Sequence, residues 1–576
     1  MRWVIFLSVF LLFFSGPGVA QDAMPVQLDT GTGVLHGTLL LPEEASAVPV
    51  VLILSGSGPT DRDGNTTIFP GKNNSLRQLA EGLGQQGIAS LRFDKRGVGA
   101  SLAAGLSEMD LRFEHYIEDA TAWARWLQAD PRFSSVTIAG HSEGSQIGAN
   151  AAWLAGADGF VSLAGPGRPV FTLLKEQLAK QLPVRHRVHA DQLMASLARG
   201  ETVAEPPPEL MILFRPSVQP YLISWQKFDP QVAIGRFDGP VAVVQGTTDI
   251  QVSVKDAELL AAAQPRARLV LLEGMNHLFK PVAEANPVLH QMSLVDSVSV
   301  FAPEAVAVVA DVSAQAERYH RAKVRALMRL AAFNTDRVAL PWPAPDLTTG
   351  QQVGFWARHF LDQGGQAYCF GLAEEGYVTR GYLWDDRAFD CISFLYRCTE
   401  LARARDNDEA LAWALRTRFS GADPDSVVDA QGRVDYDRPE HLDFSLDMIR
   451  SGIWGRDITA QLVGVVTDTV GTSRYPAGSF QYVDAESLDV DELREGDVVW
   501  MVLSPWHKDG AMLRQDYGLV IGHVGIVLVE GDQAYLCHAA SKPLPGLYEK
   551  TGLVKVPLPE YLARVGKFAG VMVTRL

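Results

Sequence analysis

The chain has 576 residues, 47 % hydrophobic and 20 % charged, with 67 acidic against 51 basic side chains and a formal net charge of −16. That length calls for more than one folding unit, and the composition excludes intrinsic disorder, collagen and a disulfide-dense scaffold. An acidic chain without a basic run offers nothing to a phosphate backbone, which excludes nucleic acid as a partner. At the start, Met1-Arg2 precedes an apolar run over 3–14 broken only by Ser8, then Ser15-Gly16-Pro17-Gly18-Val19-Ala20 and a switch to Gln21-Asp22. A charged start, a short greasy run and small residues at Gly18 and Ala20 read as a signal peptide over 1–20. The twelve positions of that run would cross only ~18 Å of a ~30 Å hydrocarbon core. No later run approaches ~18 uninterrupted apolar residues. The mature chain is therefore expected to be exported, periplasmic or secreted, with no integral membrane segment.

Over 22–315, short apolar runs alternate with helical patterns. Residues 50–54, 88–93, 136–139, 160–164, 241–245 and 269–272 read as buried parallel strands, and 76–86, 116–128 and 145–154 carry helical spacing. This alternation predicts an alpha/beta unit with a doubly wound parallel sheet, whose sites lie at the carboxyl ends of the strands. Within 166–239, helical spacing at 171–181 and 190–199 is interrupted by Pro206-Pro207-Pro208. We read a helical cap there rather than a linker, because its apolar residues need burial.

Gly140-His141-Ser142-Glu143-Gly144 sits between a strand and a helix, where two glycines relieve a sharp turn that lifts Ser142 above the sheet. The helix it opens directs free N–H groups at the reaction centre. A serine hydroxyl needs a base, and the base needs an orienting carboxylate. Asp249 follows the strand at 241–245 and His277 follows the strand at 269–272, so Ser142, Asp249 and His277 come in the chain order Ser, Asp, His. The oxyanion donors are expected to be the backbone N–H of Glu143 and that of Gly56 or Ser57, in the loop Ser55-Gly56-Ser57-Gly58-Pro59. Asp61-Arg62-Asp63-Gly64-Asn65 has the outline of a calcium loop but lacks an acid at the twelfth position, and reads as a shaped surface loop.

These segments, with Arg92-Phe93-Asp94-Lys95-Arg96-Gly97-Val98-Gly99-Ala100-Ser101, resemble the alpha/beta-hydrolase family, in particular its esterase or acyl-peptidase-like branch with a Ser-Gly-Ser-Gly-Pro loop. The resemblance covers 22–315 and implies hydrolysis or transfer of a small acyl ester without a cofactor. Arg92, Asp94 and Arg96 are expected to knit the oxyanion loop rather than to touch substrate.

A helix basic on one face is expected over 316–332, and Pro341-Trp342-Pro343-Ala344-Pro345 then breaks the chain, so we place a domain boundary near 315 and a second domain over 316–576. Helices are expected at 350–361 and 391–404, and strands at 498–503, 523–529, 534–538 and 570–574. Cys369, Cys391, Cys398 and Cys537 all fall in this half. Cys391 and Cys398 lie about two helical turns apart, roughly 10 Å, too far to bridge. A Cys369–Cys398 or a Cys369–Cys537 disulfide stays open for an exported chain. Asp390 is a good N-cap, and the dipole of the helix it starts is expected to lower the Cys391 thiol pKa. His523 begins an alternating strand and His538 ends the next. This permits Cys391 as nucleophile, His523 as base and His538 orienting His523. The competing readings are a disulfide at Cys391 and a zinc held by Cys391, Cys537, His523 and His538. No close ligand pair has finger-like spacing, so no metal is expected. His507, in a polar loop, reads as surface.

Asp390-Cys391, Gly496-Asp497-Val498-Val499, His523-Val524-Gly525-Ile526-Val527 and His538-Ala539 together resemble the NlpC/P60 cysteine-peptidase superfamily. With residues 365–371 and Phe389-Asp390-Cys391, they are most similar to its N-acetylmuramoyl-alanine-amidase-like branch. The resemblance spans about 350–576. It implies a papain-like alpha+beta fold that cuts amide bonds in peptidoglycan peptides, with Cys391, His523 and His538 as the catalytic trio. That branch has Arg-x-His-Tyr where Arg438-Pro439-Glu440-His441-Leu442 stands here, a departure that bears on substrate contacts. The whole reads as an exported bifunctional hydrolase without cofactor. Its rivals are a serine esterase carrying a non-catalytic wall-binding module, and an acyltransferase in the C-terminal half.

Overall fold

The computed structural model describes all residues except 1–20, 43–46, 67–69, 334–339, 345, 443–445 and 471–477, so the signal-like segment lies outside the described residues. The chain separates into two compact units, the first comprising Met1–Ile234 with Gly239–Arg318 and the second Gly235–Asp238 with Tyr319–Leu576. Among the described residues no helix is long and apolar enough to cross a membrane.

In the first unit, eight strands form one sheet: β1 (Gln21–Asp29), β2 (Val34–Pro42), β3 (Val48–Leu54), β4 (Ala89–Phe93), β5 (Phe133–His141), β6 (Gly159–Leu163), β7 (Val241–Gly246) and β8 (Arg268–Leu272), in the order β1-β2-β4-β3-β5-β6-β7-β8. From β4 to β8 all pairings are parallel, as a continuous apolar run with both faces covered requires. Val50, Val51, Leu52, Ala242 and Val244 are fully buried, and burying side chains of this size contributes about 1.5–3 kcal/mol for each large one. The sheet is not wholly parallel, which corrects the sequence-based expectation. β1 and β2 pair antiparallel with each other, and β2 pairs antiparallel with β4. In β1 the apolar Met24, Val26 and Leu28 alternate with other residues, whereas β2 ends in the buried run Leu39-Leu40-Leu41. β8 was expected to be buried, yet Leu269 and Leu271 are exposed because β8 closes the sheet at an edge.

The helices α1 (Ser75–Gly84), α2 (Phe113–Gln128) and α3 (Glu143–Ala155) connect these strands. Between β6 and β7 the chain forms helices at Val170–Gln181, Val184–Ala198, Gln219–Gln226 and Pro230–Gly235. Ala190, Leu193, Met194 and Leu197 bury the inner stripe of Val184–Ala198, which begins earlier than its apolar spacing indicates because its first turns are polar and exposed.

The second unit is mostly sheet. Two short parallel strands, β9 (Ala367–Tyr368) and β10 (Ala388–Phe389), precede the helix Cys391–Leu401. Then β11 (Arg456–Asp457), β12 (Val465–Val470), β13 (Gly478–Asp484), β14 (Val498–Leu503), β15 (Ile521–Glu530), β16 (Gln533–Ala540), β17 (Gly552–Pro557) and β18 (Phe568–Arg575) form an antiparallel sheet. Its order is β12-β13-β18-β14-β15-β16-β17, with β11 on β18. Val498 to Leu503 are all buried in the centre of this sheet. The helix Cys391–Leu401 packs on β15 and β16. The helix expected over 316–332 is the C-terminal part of a longer one, Pro303–Phe333. All four cysteines are free thiols, so neither disulfide that the sequence left open is formed.

Candidate active site

The first unit builds a nucleophile turn. β5 ends at His141 and α3 begins at Glu143, which leaves Ser142 alone at the turn with φ 55° and ψ −123°. A non-glycine residue held at positive φ costs about 1–3 kcal/mol and persists only where its surroundings enforce it. They do so here: a Cβ on Gly140 would lie 2.1 Å from the Gly144 carbonyl oxygen, and one on Gly144 would lie 2.6 Å from that of Ser55. With glycine at both places the turn closes, His141 and Glu143 are buried, and Ser142 stays partly exposed.

Asp249 lies just past β7 and His277 just past β8, and His277 Nδ1 donates to Asp249 Oδ2 at 2.7 Å. Asp249 also accepts from the Gln245 side-chain amide at 2.9 Å and from the backbone N–H groups of Gln251 at 2.8 Å and Val252 at 3.0 Å. Burial works to raise this carboxyl, but His277 and these donors together hold it below the ordinary carboxylate range. The acid is thus ionised, fixes the tautomer of His277 with the proton on Nδ1, and leaves Nε2 free to act as a base. His141 Nε2 donates to the His277 carbonyl oxygen at 2.8 Å. Burial and the neighbouring His277 push His141 down to about 3, and the same two causes push His290 down to about 4. Both stay neutral beside the base. Among the described residues no hydrogen bond joins Ser142 Oγ to His277. Such contacts are often long before substrate binds.

Gly56 follows β3, and a Cβ there would sit 3.2 Å from Ser142 Cβ. Among the described residues the backbone N–H groups of Gly56, Ser57 and Glu143 donate to no protein acceptor. Lys95 Nζ donates to the Gly56 carbonyl oxygen at 2.5 Å and pairs with Glu143 Oε2 at 3.3 Å, both partners buried. Tyr221 O–H, from the helix Gln219–Gln226, donates to Glu143 Oε1 at 2.6 Å. Neither Lys95 nor Tyr221 was singled out from the sequence. The only signal was a charged run directly after β4. Arg92 and Asp94 act one loop further on than expected, pairing with Asp63 at 3.0 Å and Arg62 at 2.7 Å to fix residues 61–65. Arg96 does not knit the oxyanion loop. Its guanidinium pairs with Asp119 on α2 at 2.5 Å, because it points away from the loop. Asp61 Oδ1 accepts from the N–H groups of Asp63 and Asn65 at 2.9 and 2.8 Å, so the carboxylate closes its own turn. Among the described residues no group of His, Cys, Asp and Glu is placed to hold a metal.

In the second unit Asp390 caps the helix Cys391–Leu401, with Oδ1 accepting from Ser393 N–H at 2.7 Å and Oδ2 from Gly371 N–H at 3.0 Å. Cys391 is the first helical residue and partly exposed. Its thiol does not behave as the dipole argument expects. Burial, reinforced by the adjacent Asp390 carboxylate, pushes it up to about 12, against the opposing pull of the Val524 N–H and the helix-end N–H groups. Burial first, and the capping acid second, thereby outweigh the dipole. His523 on β15 and His538 on β16 meet, with His523 Nε2 and His538 Nδ1 2.9 Å apart and ring centroids 4.8 Å apart edge to face. Burial, His538 and Lys567 hold His523 well below the usual imidazole range, and burial pushes His538 down to about 3. Both rings are neutral, and one donates to the other. Tyr561 packs against both, at 6.2 and 4.8 Å. Among the described residues no hydrogen bond joins Cys391 to His523. His507 caps the helix Lys508–Asp516, and Asp497 pairs with Arg575 at 2.6 Å, a structural contact. Arg438 pairs with Glu440 at 3.1 Å in the segment that departs from the family pattern.

Residues 68–280 match the family described as serine aminopeptidase, S33. Among curated proteins, Esterase EstD of Thermotoga maritima is 29 % identical over 251 residues, 42 % of this chain and 58 % of that protein, so the chain spans less than two thirds of its length. Among solved structures, ferulic-acid-bound Est1E from Butyrivibrio proteoclasticus is 16 % identical with a TM-score of 0.34, covering 50 % of this chain and 99 % of that one. The esterase domain of a Rhodothermus marinus protein is 17 % identical with a TM-score of 0.32, covering 52 % and 98 %. The sheet order and the nucleophile turn, together with the match over 68–280, give the first unit the alpha/beta-hydrolase fold.

Proposed function

We propose that the first unit hydrolyses small carboxylic esters through an acyl-enzyme on Ser142. The observation that carries this reading is the His277–Asp249 hydrogen bond of 2.7 Å in the unit that also holds the Ser142 turn. Ser142 Oγ attacks the ester carbonyl while His277 Nε2 takes its proton, and Asp249 stabilises the imidazolium that forms. The N–H of Glu143, with that of Gly56 or Ser57, receives the negative charge that develops on the carbonyl oxygen. Collapse expels the alcohol, which takes the proton from His277, and water repeats the sequence to free the acid. An ester rather than an amide is favoured by the likeness to EstD. Hydrolysis of p-nitrophenyl acyl esters and fluorophosphonate labelling, both lost in Ser142→Ala, is the expected result. An active Ser142→Ala variant would end this reading.

For the second unit we propose a cysteine amidase acting on cell-wall peptides, with Cys391 as nucleophile, His523 as base and His538 orienting it. Its support is the family resemblance, the placement of Cys391 at a helix start packed on β15, and the His523–His538 contact of 2.9 Å. Because the thiol is held high and both imidazoles are neutral, the proton leaves sulfur for His523 only as sulfur bonds to the carbonyl carbon. The amine then departs with that proton, and water cleaves the thioester. Peptidoglycan fragments released by the full chain and lost in Cys391→Ala are expected. Wall binding without release would favour the binding module, and a product gaining an acyl group would favour transfer. We further propose that the chain is exported with cleavage after Ala20, which N-terminal sequencing of the secreted protein tests.

A further inference from the structure

The buried Lys95–Glu143–Tyr221 cluster takes no part in the proton transfers proposed above, yet its carboxylate belongs to the residue next to Ser142. Glu143 follows Ser142 in the chain, and its carboxylate is nearly inaccessible to water, at 3 % side-chain exposure. A buried negative charge beside a developing oxyanion opposes catalysis unless something cancels it. Lys95 supplies the opposite charge at 3.3 Å and Tyr221 a hydrogen bond at 2.6 Å. The second hydrogen bond of Lys95 is the informative one, because it goes not to a side chain but to the Gly56 carbonyl oxygen at 2.5 Å.

A trans peptide is planar, with its C=O and N–H on opposite sides. The Gly56 oxygen belongs to the same peptide as the Ser57 nitrogen, so a lysine that grips that oxygen from the buried side turns the Ser57 N–H the other way. Ser57 is exposed where Lys95 is buried, and its N–H has no acceptor among the described residues. Gly56 meanwhile lies against Ser142 with no room to spare. We infer that Lys95 is a positioning residue of the serine site, which clamps the Gly56–Ser57 peptide so that the Ser57 N–H, with that of Glu143, forms the oxyanion hole. The inference rests on the serine-hydrolase reading above. Tyr221 acts at one remove, holding Glu143 so that Lys95 is shared between the carboxylate and the peptide oxygen. Since Tyr221 comes from the helices inserted between β6 and β7, that insertion is wired to the hole through Glu143.

The test uses the full chain with p-nitrophenyl butyrate and with a boronic acid whose tetrahedral adduct on serine mimics the oxyanion. In Lys95→Met, kcat is expected to fall about 100-fold with KM changed by less than about threefold, and boronate affinity is expected to fall in step with kcat. Lys95→Arg should recover part of both. Lys95→Met leaves the buried Glu143 carboxylate unpaired, at a cost to stability, so Lys95→Met/Glu143→Gln removes both charges and keeps the measurement interpretable. Its thermal stability is expected to return while kcat and boronate affinity stay low, because the Gly56 oxygen is still ungripped. A double variant with both restored to within about threefold of wild type would overturn the clamp and leave Lys95 as a mere counter-charge. If the wild type neither hydrolyses the ester nor takes a fluorophosphonate on Ser142, the serine reading fails and the inference with it. An active wild type beside an equally active double variant overturns the inference alone.

Discussion

In the first unit a histidine leans on a carboxylate, His277 on Asp249 at 2.7 Å, whereas in the second a histidine leans on another histidine, His523 on His538 at 2.9 Å. The oxygen nucleophile is the harder one to activate, and it has the base with an anionic partner. When His277 takes a proton from Ser142, a buried carboxylate already held below its ordinary range stabilises the resulting imidazolium. In the mechanism proposed for the second unit, a proton passing from Cys391 to His523 would find beside it a neutral ring that burial keeps neutral down to about pH 3. A thiol is intrinsically more nucleophilic than a hydroxyl and tolerates the weaker support. The difference teaches what to test: a partner that only orients a base and one that also stabilises its charge separate by what it costs to remove them.

The sharpest way to break this comparison is Asp249→Asn, expected to lower ester kcat about 10⁴-fold while leaving the fold intact, since an amide favours the wrong His277 tautomer. A loss of only about tenfold would place Asp249 on a par with His538. Next in size is the pH dependence of Cys391 alkylation by iodoacetamide. With the thiol pushed up to about 12, the rate should climb about tenfold per pH unit from pH 7 to pH 10 without levelling off. A plateau below pH 8 would mean an activated thiolate that the burial around it does not permit. His538→Gln is expected to cost the second unit only about tenfold, the worth of one neutral hydrogen bond at about 1.4 kcal/mol or less. Gly144→Ala, which drives a Cβ to 2.6 Å from the Ser55 oxygen, should destabilise the first unit by about 1–3 kcal/mol in denaturant titrations. Finally, His141, His290 and His538 are held down at about 3, 4 and 3. Their neutral forms favour the fold fully above the unfolded value of about 6.5, and that contribution drains away as pH falls toward the folded values. The denaturation midpoints of both units should therefore be lower at pH 5 than at pH 7.

The parallel strands β3 to β8 are legible because each is a short, nearly unbroken apolar run between turn residues, and the runs overlap the strands closely. β1 and β2 are not, since Pro25 interrupts the alternation of the first and His36-Gly37-Thr38 splits the apolar residues of the second. β12, β13 and β17 escape notice for the same reason: alternation in a polar setting looks like loop. At the site, Asp249 and His277 announce themselves by standing just after strands. Lys95 does not, because what it grips is a backbone oxygen, and no side-chain pattern encodes a carbonyl. Cys391 shows a different limit. A helix start and an N-cap are visible in sequence and argue for a low thiol pKa, yet the depth of burial that reverses the sign is a property of packing. Arg96, adjacent in sequence to Lys95, goes to Asp119 instead of the loop, because the two lie in a turn past β4 where no strand period predicts side-chain direction.

The turn at Ser142 also limits which amino acids could ever take over the nucleophile's place. A residue held at φ 55° accepts a side chain with a single γ atom, so sulfur could replace oxygen there without moving the backbone. Threonine could not, because its second γ substituent collides with the main chain in that conformation. Cys391 sits in ordinary helical backbone, whose dihedral angles exclude neither serine nor threonine. Exchange of the nucleophile therefore runs through a narrow gate in one unit and an open one in the other, and a saturation library at the two positions would display that asymmetry directly.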